Sequence, residues 1–210
     1  MKILFFGDSI TDASRDRTGQ DANTRLGGGY VLQIAGRLWE RSAVEHDIVN
    51  RGISGNRVVD LYARVKADVW NERPDVLSIL VGVNSLWHEL FYRNGVELPR
   101  WERVYRMLIE DTQKALPQTK IMLCEPFIEH GEVTDKDYAA FSRIADYAAV
   151  ARKLAQEYGL CFVPLQAALS DAAKQYGAAA ILRDGVHPTG AGGVVIAREW
   201  LRAFDLSINK

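Results

Sequence analysis

The sequence predicts an α/β fold in which a parallel sheet lies between two layers of helices. Short aliphatic runs alternate with longer amphipathic segments along the chain, and strands separated by helices form parallel sheets. The aliphatic runs are nearly continuous, which is typical of strands buried on both faces. The strand–helix unit occurs five times, so we expect a five-stranded sheet. No linker or composition shift divides residues 1–210, so we expect one domain.

The first half of the chain contains three predicted strands and two predicted helices. The strands cover residues 3–6, 48–50 and 76–81, and the helices cover residues 30–39 and 58–70. Residues 13–29 are polar and end in three glycines. This segment is too long for a minimal strand–helix connection, so we expect a flap over a site.

The second half begins with a segment of mixed composition, residues 86–100, that we interpret as an inserted loop. Hydrophobic periodicity and the positions of proline and glycine predict the rest. The predicted elements are a helix over 101–116, a strand over 121–124, a long helix over 136–158, a strand over 160–163, a helix over 165–176, a loop over 178–190 and a helix over 191–204.

The composition favours a globular protein and gives no sign of binding to nucleic acid or to an anionic membrane. Apolar residues make up 48% of the 210, and 26 basic residues nearly balance 27 acidic ones. We therefore expect no binding to nucleic acid or to an anionic membrane surface. No apolar run is long enough to span a bilayer, and the run after Lys2 is too short for a signal peptide, so we expect a cytoplasmic protein. We interpret Cys124 and Cys161 as free thiols and find no metal-ligand spacing.

The segment Gly7-Asp8-Ser9 follows the first predicted strand directly. Ligands of open α/β sheets bind at the carboxyl ends of strands, so a serine here is a candidate nucleophile. A serine needs a base to take its proton and a third group to orient that base. Alternatively, Ser9 through Asp12 fits a helix capping box, which would make Ser9 only an N-cap.

The sequence Asp184-x-x-His187 supplies candidates for the base and its orienting group. Of the four histidines, only His187 has a carboxylate three residues earlier in a turn-rich loop. This spacing allows Asp184 to fold back onto one ring nitrogen and leaves the other free to face a serine. An Asp-Gly turn with a capping histidine would show the same pattern.

Two further loops carry groups that can stabilise the negative charge of an acyl-transfer intermediate. Gly52 follows the second predicted strand and offers an unobstructed backbone N–H, and Asn84 follows the third strand and offers its side-chain amide. The N–H of Ser9, at a helix N-terminus, is a third candidate donor. Near the same strand ends, Asp8, Trp87 and Glu125 are candidate substrate contacts.

These segments together resemble the four sequence blocks of the SGNH, or GDSL-type, esterases and lipases. The resemblance extends from Phe5 to Pro188. It implies a flavodoxin-like α/β/α sandwich and no cofactor or metal. It also implies Ser9, Asp184 and His187 as a catalytic triad, and Ser9, Gly52 and Asn84 as the oxyanion hole. One position departs from the family pattern Gly-x-Asn-Asp, because Ser85 replaces the aspartate.

A closer resemblance is to the bacterial acetyl-xylan-esterase-like branch of this family. It is carried by residues 7–12, 51–56 and 184–188. The resemblance implies a serine esterase that removes acetyl groups from small carbohydrate esters through an acyl-serine intermediate, and it allows a homo-oligomer.

Two alternatives remain open from the sequence. A lysophospholipase or thioesterase would act on longer acyl chains and would need an apolar trough. Apolar residues after the third strand can line such a trough, stack on sugar rings or form a subunit interface; they are Trp87, Leu90, Phe91 and Tyr92. The more distant alternative is a flavodoxin-like module that binds phosphate or a flavin at the turn after the first strand.

Overall fold

The computed structural model of the chain describes residues 1–19, 21–42 and 46–208. Gln20, which belongs to the predicted flap, lies outside the described residues. The sheet contains five parallel strands in the order β2-β1-β3-β4-β5. Their bounds are β1 Lys2–Gly7, β2 Asp47–Gly52, β3 Val76–Leu80, β4 Lys120–Cys124 and β5 Cys161–Val163. The predicted five-stranded α/β fold is therefore confirmed.

Helices cover both faces of this sheet. The longer ones are α3 Tyr30–Ser42, α4 Val58–Val65, α5 Val83–Tyr92, α6 Leu98–Ala115, α8 Ile144–Glu157, α9 Gln166–Tyr176 and α11 Gly190–Ser207. The short ones are α1 Ser9–Asp12, α2 Ala22–Leu26, α7 Tyr138–Phe141 and α10 Ala178–Ile181. A π-helical turn, Lys66–Trp70, extends α4, and a 3₁₀ turn, Thr134–Lys136, precedes α7. On one face α3 packs on α11, and on the other α4 packs on α6 and α6 on α8.

Strand β1 shows how alternation along a strand supplies both faces of the core. Phe5 contacts Tyr30 of α3 and Trp200 of α11, with ring centroids 5.8 and 5.2 Å apart. Phe6 points to the opposite face, where the guanidinium of Arg64 in α4 lies 4.3 Å from its ring centroid. Both phenylalanines are fully buried. Because β1 is central and covered on both sides, its carboxyl end is a rigid support for the residues that follow.

Three local predictions were wrong. The predicted loop at 86–100 contains most of helix α5 and the start of α6. Val83 and Leu86 are buried one helical turn apart, and this short apolar stripe holds α5 on the core. The predicted helix over 136–158 is divided into α7 and α8, and the predicted loop at 178–190 contains α10.

The division between α7 and α8 has a local cause. Asp137 caps α7 by accepting a hydrogen bond from the N–H of Ala140 at 3.0 Å. At the other end of α7, Ser142 Oγ donates to the carbonyl oxygen of Ala139 at 2.7 Å. Both side chains compete with a continuous helical ladder, as short polar side chains do at helix ends. Within the described ranges, no helix is long and apolar enough to cross a membrane.

Candidate active site

The predicted site residues come from four segments that meet at the carboxyl edge of the sheet. Ser9 follows β1, the turn at residues 53–56 follows β2, and Asn84 follows β3. The loop that carries Asp184 and His187 reaches the same edge, because the ring of His187 contacts Ser9. This is the edge at which parallel α/β sheets bind ligands.

Helix α1 begins in a way that leaves the Ser9 side chain available. The N-cap residue is Asp8, whose carboxylate accepts the N–H of Ile10 at 3.0 Å. Ser9 is the first residue of the helix, so the interpretation of Ser9 as the N-cap is wrong. The Ser9 N–H is one of the donors that a helix N-terminus leaves without an intrahelical acceptor.

Three side chains form a hydrogen-bonded series that starts at this serine. Oγ of Ser9 lies 2.9 Å from Nε2 of His187, and Nδ1 of His187 lies 2.7 Å from Oδ2 of Asp184. The other carboxylate oxygen, Oδ1 of Asp184, accepts the N–H groups of Val186 at 3.0 Å and of His187 at 2.8 Å. Backbone N–H groups of the same loop therefore hold Asp184 in position to orient the ring of His187.

The electrostatics of this loop keep Asp184 ionised. Burial alone would raise the pKa of Asp184, but the backbone and side-chain hydrogen bonds from His187 outweigh it, and the pKa lies below its usual value of 3.8. The loop is anchored from outside as well, since the Val133 N–H donates to the Asp184 carbonyl oxygen at 3.1 Å and the Glu129 N–H donates to the Gly185 carbonyl oxygen at 2.8 Å. An ionised carboxylate on Nδ1 favours the tautomer whose Nε2 can accept a proton.

The structure corrects the prediction for Gly52. Its N–H donates to Oδ1 of Asn50 at 2.8 Å, so it is not free to bind an oxyanion. The residue is also buried against α1, where an added Cβ would lie 2.2 Å from the backbone nitrogen of Asp12. Gly52 therefore serves the close approach of β2 to α1 and cannot be an oxyanion donor.

Gly55 is the second glycine of the same loop and is a candidate for the donor role that Gly52 was predicted to fill. It lies in a turn closed by a hydrogen bond of 3.2 Å from the Asn56 N–H to the Ile53 carbonyl oxygen, and its φ of 82° favours glycine. Within the described part of the chain, the N–H groups of Ser9 and Gly55 have no hydrogen-bond acceptor. The sequence pointed to this loop, since two glycines lie in residues 51–56. It did not reveal the hydrogen bond from the Gly52 N–H to Asn50, which distinguishes Gly52 from Gly55.

Asn84 lies in the first turn of α5, directly beside this turn. Its Nδ2 donates to the carbonyl oxygen of Asn56 at 3.1 Å. One N–H of the amide is thereby fixed and the second remains to donate elsewhere, since a side-chain amide carries two. The structure thus places the Asn84 amide next to the Gly55 turn.

Two of the three predicted substrate contacts have structural roles instead. Asp8 is only 1% exposed, so it cannot contact a substrate. Glu125 caps helix α9, because its Oε2 accepts the N–H groups of Leu165 at 2.7 Å and of Gln166 at 3.0 Å. It borders a different cavity from the one that contains Ser9.

Trp87, the third predicted substrate contact, lies close to the hydrogen-bonded series. Its ring centroid is 6.1 Å from that of His187, and its other neighbour is the buried ring of Phe141 at 6.0 Å. A polar cleft of about 340 Å³ opens beside Ser9 and His187, and it is bordered by Ser14, Gly28, Gly29, Ser54, Arg183 and Thr189 among others. Trp87 therefore lies near the ring of His187, and the polar cleft opens beside Ser9.

This arrangement can carry out acyl transfer, since it joins a hydroxyl, an imidazole and a carboxylate to unpaired N–H donors. Among the described residues, no group of histidine, cysteine and acidic side chains could hold a metal ion.

Comparison with known proteins assigns the family. The family model described as GDSL-like lipase/acylhydrolase matches residues 5–193. The chain belongs to this family. It is 37% identical to an acetylxylan esterase of Geobacillus stearothermophilus over 96% of this chain and 92% of that protein. The resemblance inferred from the sequence blocks is confirmed, and the chain is a carboxylic ester hydrolase.

Solved structures of related proteins share the fold. The crystal structure of Axe2, an acetylxylan esterase from Geobacillus stearothermophilus, is similar with a TM-score of 0.85 and 35% identity over 96% of this chain and 93% of that one. A protein of Parabacteroides merdae assigned as a GDSL-like lipase gives a TM-score of 0.89 and 40% identity over 98% and 95% of the two chains. These similarities confirm the α/β three-layer fold of the GDSL hydrolases.

Proposed function

We propose that this esterase hydrolyses acetyl esters of small carbohydrates, with Ser9 as nucleophile, His187 as general base and Asp184 as its orienting carboxylate. The observation that carries the proposal is the hydrogen-bonded series from Ser9 Oγ through the two ring nitrogens of His187 to Asp184 Oδ2. Both links have the length of good hydrogen bonds, and the order of groups is the one that activates a serine.

The first half of the reaction transfers the acyl group to the enzyme. Nε2 of His187 takes the proton of Ser9 as Oγ forms a bond to the ester carbonyl carbon. The carbonyl oxygen becomes an oxyanion, which accepts hydrogen bonds from the Ser9 N–H, the Gly55 N–H and the free amide N–H of Asn84. The bond from the carbonyl carbon to the alcohol oxygen then breaks, and His187 gives its proton to the departing alcohol.

The second half releases the acid. Water enters the place of the alcohol, His187 takes one of its protons, and the water oxygen attacks the acyl-serine carbonyl carbon. The same donors stabilise the second oxyanion, and the bond to Ser9 Oγ breaks as Oγ regains its proton. Each proton that His187 accepts is returned within the same half-reaction, so the chemistry needs no further group.

Two observations support a small acyl group and a polar alcohol. The cleft beside Ser9 is small and polar, and Ser14, Gly29 and Ser54 are among the residues that border it. Such donors and acceptors suit a polyhydroxylated alcohol better than an alkyl chain. The relative from Geobacillus stearothermophilus, named an acetylxylan esterase, supports the same class of substrate.

The alternative of a lysophospholipase or thioesterase has one observation in its favour. Phe91 and Tyr92 of α5 are exposed by 44% and 66%, and Phe91 lies against Phe141, which in turn contacts Trp87. This aromatic row leads from the surface toward His187. It can hold a longer acyl chain, and it is equally suited to sugar stacking or to an interface in a homo-oligomer.

Hydrolysis of p-nitrophenyl acetate, butyrate and octanoate separates these candidates, with Ser9→Ala as the blank and the exposed Ser142→Ala as the matched control. We expect kcat/KM to fall steeply with chain length, to vanish in Ser9→Ala and to stay unchanged in Ser142→Ala. Acetyl release from acetylated xylo-oligosaccharides then tests the carbohydrate. A preference for octanoate would support the longer-chain alternative, and full activity in folded Ser9→Ala would refute the mechanism.

Three expectations from the sequence remain predictions of the proposal. They are a single hydrolase domain over residues 1–210, a cytoplasmic location, and the homo-oligomer that the resemblance allows. None of them is needed for the chemistry above, since all the proposed catalytic groups belong to one chain.

A further inference from the structure

Asp12, at the end of α1, is a buried carboxylate that the hydrogen-bonded series through His187 does not include. It is 4% exposed. Its Oδ2 accepts three hydrogen bonds, from the Ser54 N–H at 3.0 Å, from Ser54 Oγ at 3.1 Å and from Nη2 of Arg17 at 2.9 Å. A carboxylate buried beside the nucleophile helix and bonded to another loop requires an explanation, because burial of a charge is costly unless it is fully paired.

The Ser54 bonds connect Asp12 to the candidate oxyanion donors. Ser54 immediately precedes Gly55, within the turn that the Asn56 N–H closes on the Ile53 carbonyl oxygen. The carbonyl oxygen of Asn56 accepts the Asn84 amide at 3.1 Å. A continuous chain of contacts therefore runs from Asp12 through the Gly55 turn to the Asn84 side chain.

The two ends of α1 thus have different functions. Its first residue, Ser9, carries the nucleophilic oxygen and one free N–H, and its last residue, Asp12, holds the turn that carries the second N–H. Because α1 is only four residues long, the position of one group fixes the position of the other. Oxyanion donors act only when they are aimed in advance at the developing charge, so such a brace bears directly on the reaction.

We propose that Asp12 is a positioning residue that sets the oxyanion hole by bracing the Ser54–Gly55 turn against the nucleophile helix. The inference rests on the proposed function of Ser9, Gly55 and Asn84. Asp12 touches neither the substrate nor His187, and it acts through Ser54.

A carboxylate suits the brace, because its two oxygens face four donors. Oδ2 of Asp12 accepts from both donors of Ser54, and an amide nitrogen in that place would face those donors with donors of its own. Oδ1 is engaged too, since it accepts the Arg15 N–H at 3.3 Å. In either orientation of its amide, Asp12→Asn therefore faces at least one donor with its NH₂ group, and its neutral oxygen accepts the Ser54 bonds more weakly than a charged carboxylate does.

The test compares Asp12→Asn, Ser54→Ala and Arg17→Ala with the wild type. Arg17 pairs with the same carboxylate but does not contact the turn, and its side chain is 51% exposed, which makes it the matched control. We expect Asp12→Asn to lower kcat on p-nitrophenyl acetate about tenfold or more with KM changed by less than about twofold, because misplaced donors weaken only the transition state. Ser54→Ala loses one of the two bonds and lowers kcat less, and Arg17→Ala leaves kcat near that of the wild type.

Two further measurements distinguish positioning from a general structural role. A boronic acid forms a tetrahedral adduct with serine that places an oxygen in the hole, so its inhibition constant should rise in Asp12→Asn in parallel with the loss of kcat. In an Asn84→Ala background, Asp12→Asn should lower kcat by a smaller factor than it does in the wild type, because one of the donors that Asp12 aligns is already gone. Loss of stability alone would produce neither effect.

The proposal is overturned if folded Asp12→Asn retains the kcat and the boronate inhibition constant of the wild type. If Asp12→Asn does not fold, Ser54→Ala tests the proposal in its place, and an unchanged kcat in Ser54→Ala overturns the proposal. Ser9→Ala in the same series distinguishes a failure of the proposed brace from a failure of the proposed function. An inactive Ser9→Ala beside a fully active Asp12→Asn refutes the brace alone, whereas an active Ser9→Ala refutes the proposed function.

Discussion

The N–H of Gly52 donates to Oδ1 of Asn50 at 2.8 Å. Because of this bond, Gly52 and Gly55 have different roles although they belong to the same loop. Nδ2 of the same asparagine donates to the carbonyl oxygens of Thr11 at 2.6 Å and of Leu26 at 2.7 Å. Asn50 therefore holds β2, α1 and the end of α2 together, and Gly52 is part of that framework.

Alanine at Gly52 should consequently affect mainly stability, and alanine at Gly55 should affect mainly catalysis. A Cβ at Gly52 would lie 2.2 Å from the Asp12 backbone nitrogen, so Gly52→Ala should lose on the order of 3 kcal/mol of stability or fail to fold. At Gly55 no atom lies within 4 Å of such a Cβ, and only the φ of 82° opposes it. Gly55→Ala should lose about 1–2 kcal/mol and still fold, but with a reduced kcat, because the strained turn shifts its N–H.

Chemical denaturation and kcat on p-nitrophenyl acetate check this pair. Gly28→Ala is a suitable control for stability, because a Cβ there meets no atom within 4 Å and its φ is not positive. A Gly52→Ala variant as stable as the wild type would contradict the assignment of this glycine to the framework.

Removal of the Asn84 amide should affect catalysis far more than stability, because it deletes one hydrogen bond to the Asn56 carbonyl oxygen but a whole oxyanion donor. Asn84→Ala deletes the donor next to the Gly55 turn, and loss of one oxyanion donor typically lowers kcat by about 10²–10³-fold. Asn84→Asp should be at least as damaging, since it places a second negative charge where the oxyanion forms. Steady-state kinetics with KM resolved from kcat provide the measurement. A change in KM alone would show that Asn84 binds the substrate without stabilising the oxyanion.

Substitution of Asp184 should preserve the fold and reverse the histidine tautomer. In Asp184→Asn the amide oxygen can still accept the backbone N–H groups of Val186 and His187, and the NH₂ group then faces Nδ1 of His187. The ring proton must move to Nε2, which can no longer accept the Ser9 proton. We expect kcat to fall by about 10⁴-fold.

An unfolding midpoint close to that of the wild type should accompany this loss in Asp184→Asn. Wild-type kcat in the folded variant would mean that His187 does not act as the base.

The sequence predicted the order of the five strands along the chain and their burial, because parallel central strands have a strong aliphatic signal. It also predicted the segments that meet at the carboxyl edge of the sheet. It predicted helix α5 wrongly, since the buried stripe of Val83 and Leu86 is short and Gly95 and Pro99 follow closely. Local sequence is a poor guide where tertiary contacts stabilise a short helix.

At the site, the sequence identified residue types but not hydrogen-bond partners. Gly52 and Gly55 are equally plausible donors in the sequence, and only the side chain of Asn50 distinguishes them. Asp12 belongs to an ordinary capping pattern, and its bonds to Ser54 span 42 residues. Such long-range partners follow from the packing of β2 against α1, which no local pattern specifies.

The buried carboxylate of Asp8 should make stability depend on pH. Burial raises the pKa of Asp8 to about 7, and the hydrogen bond from the Ile10 N–H offsets only part of that effect. Within the described residues, Oδ2 of Asp8 has no hydrogen-bond partner. Because the folded pKa lies above the unfolded value of 3.8, the folded protein retains a proton that the unfolded chain releases. The Asp8 contribution to stability is therefore fully present below pH 4 and is lost as pH rises through about 7.

Asp8→Asn should remove this dependence while it keeps an oxygen for the Ile10 N–H. Relative to the wild type, the variant should gain on the order of a few kcal/mol in unfolding free energy between pH 4 and pH 8, most of it below pH 7. The exposed Asp171→Asn, which loses only its pair with Lys174, is the control and should follow the wild-type curve. Urea unfolding at closely spaced pH values gives the difference directly, and a constant difference between Asp8→Asn and wild type across this range would show that Asp8 does not titrate there.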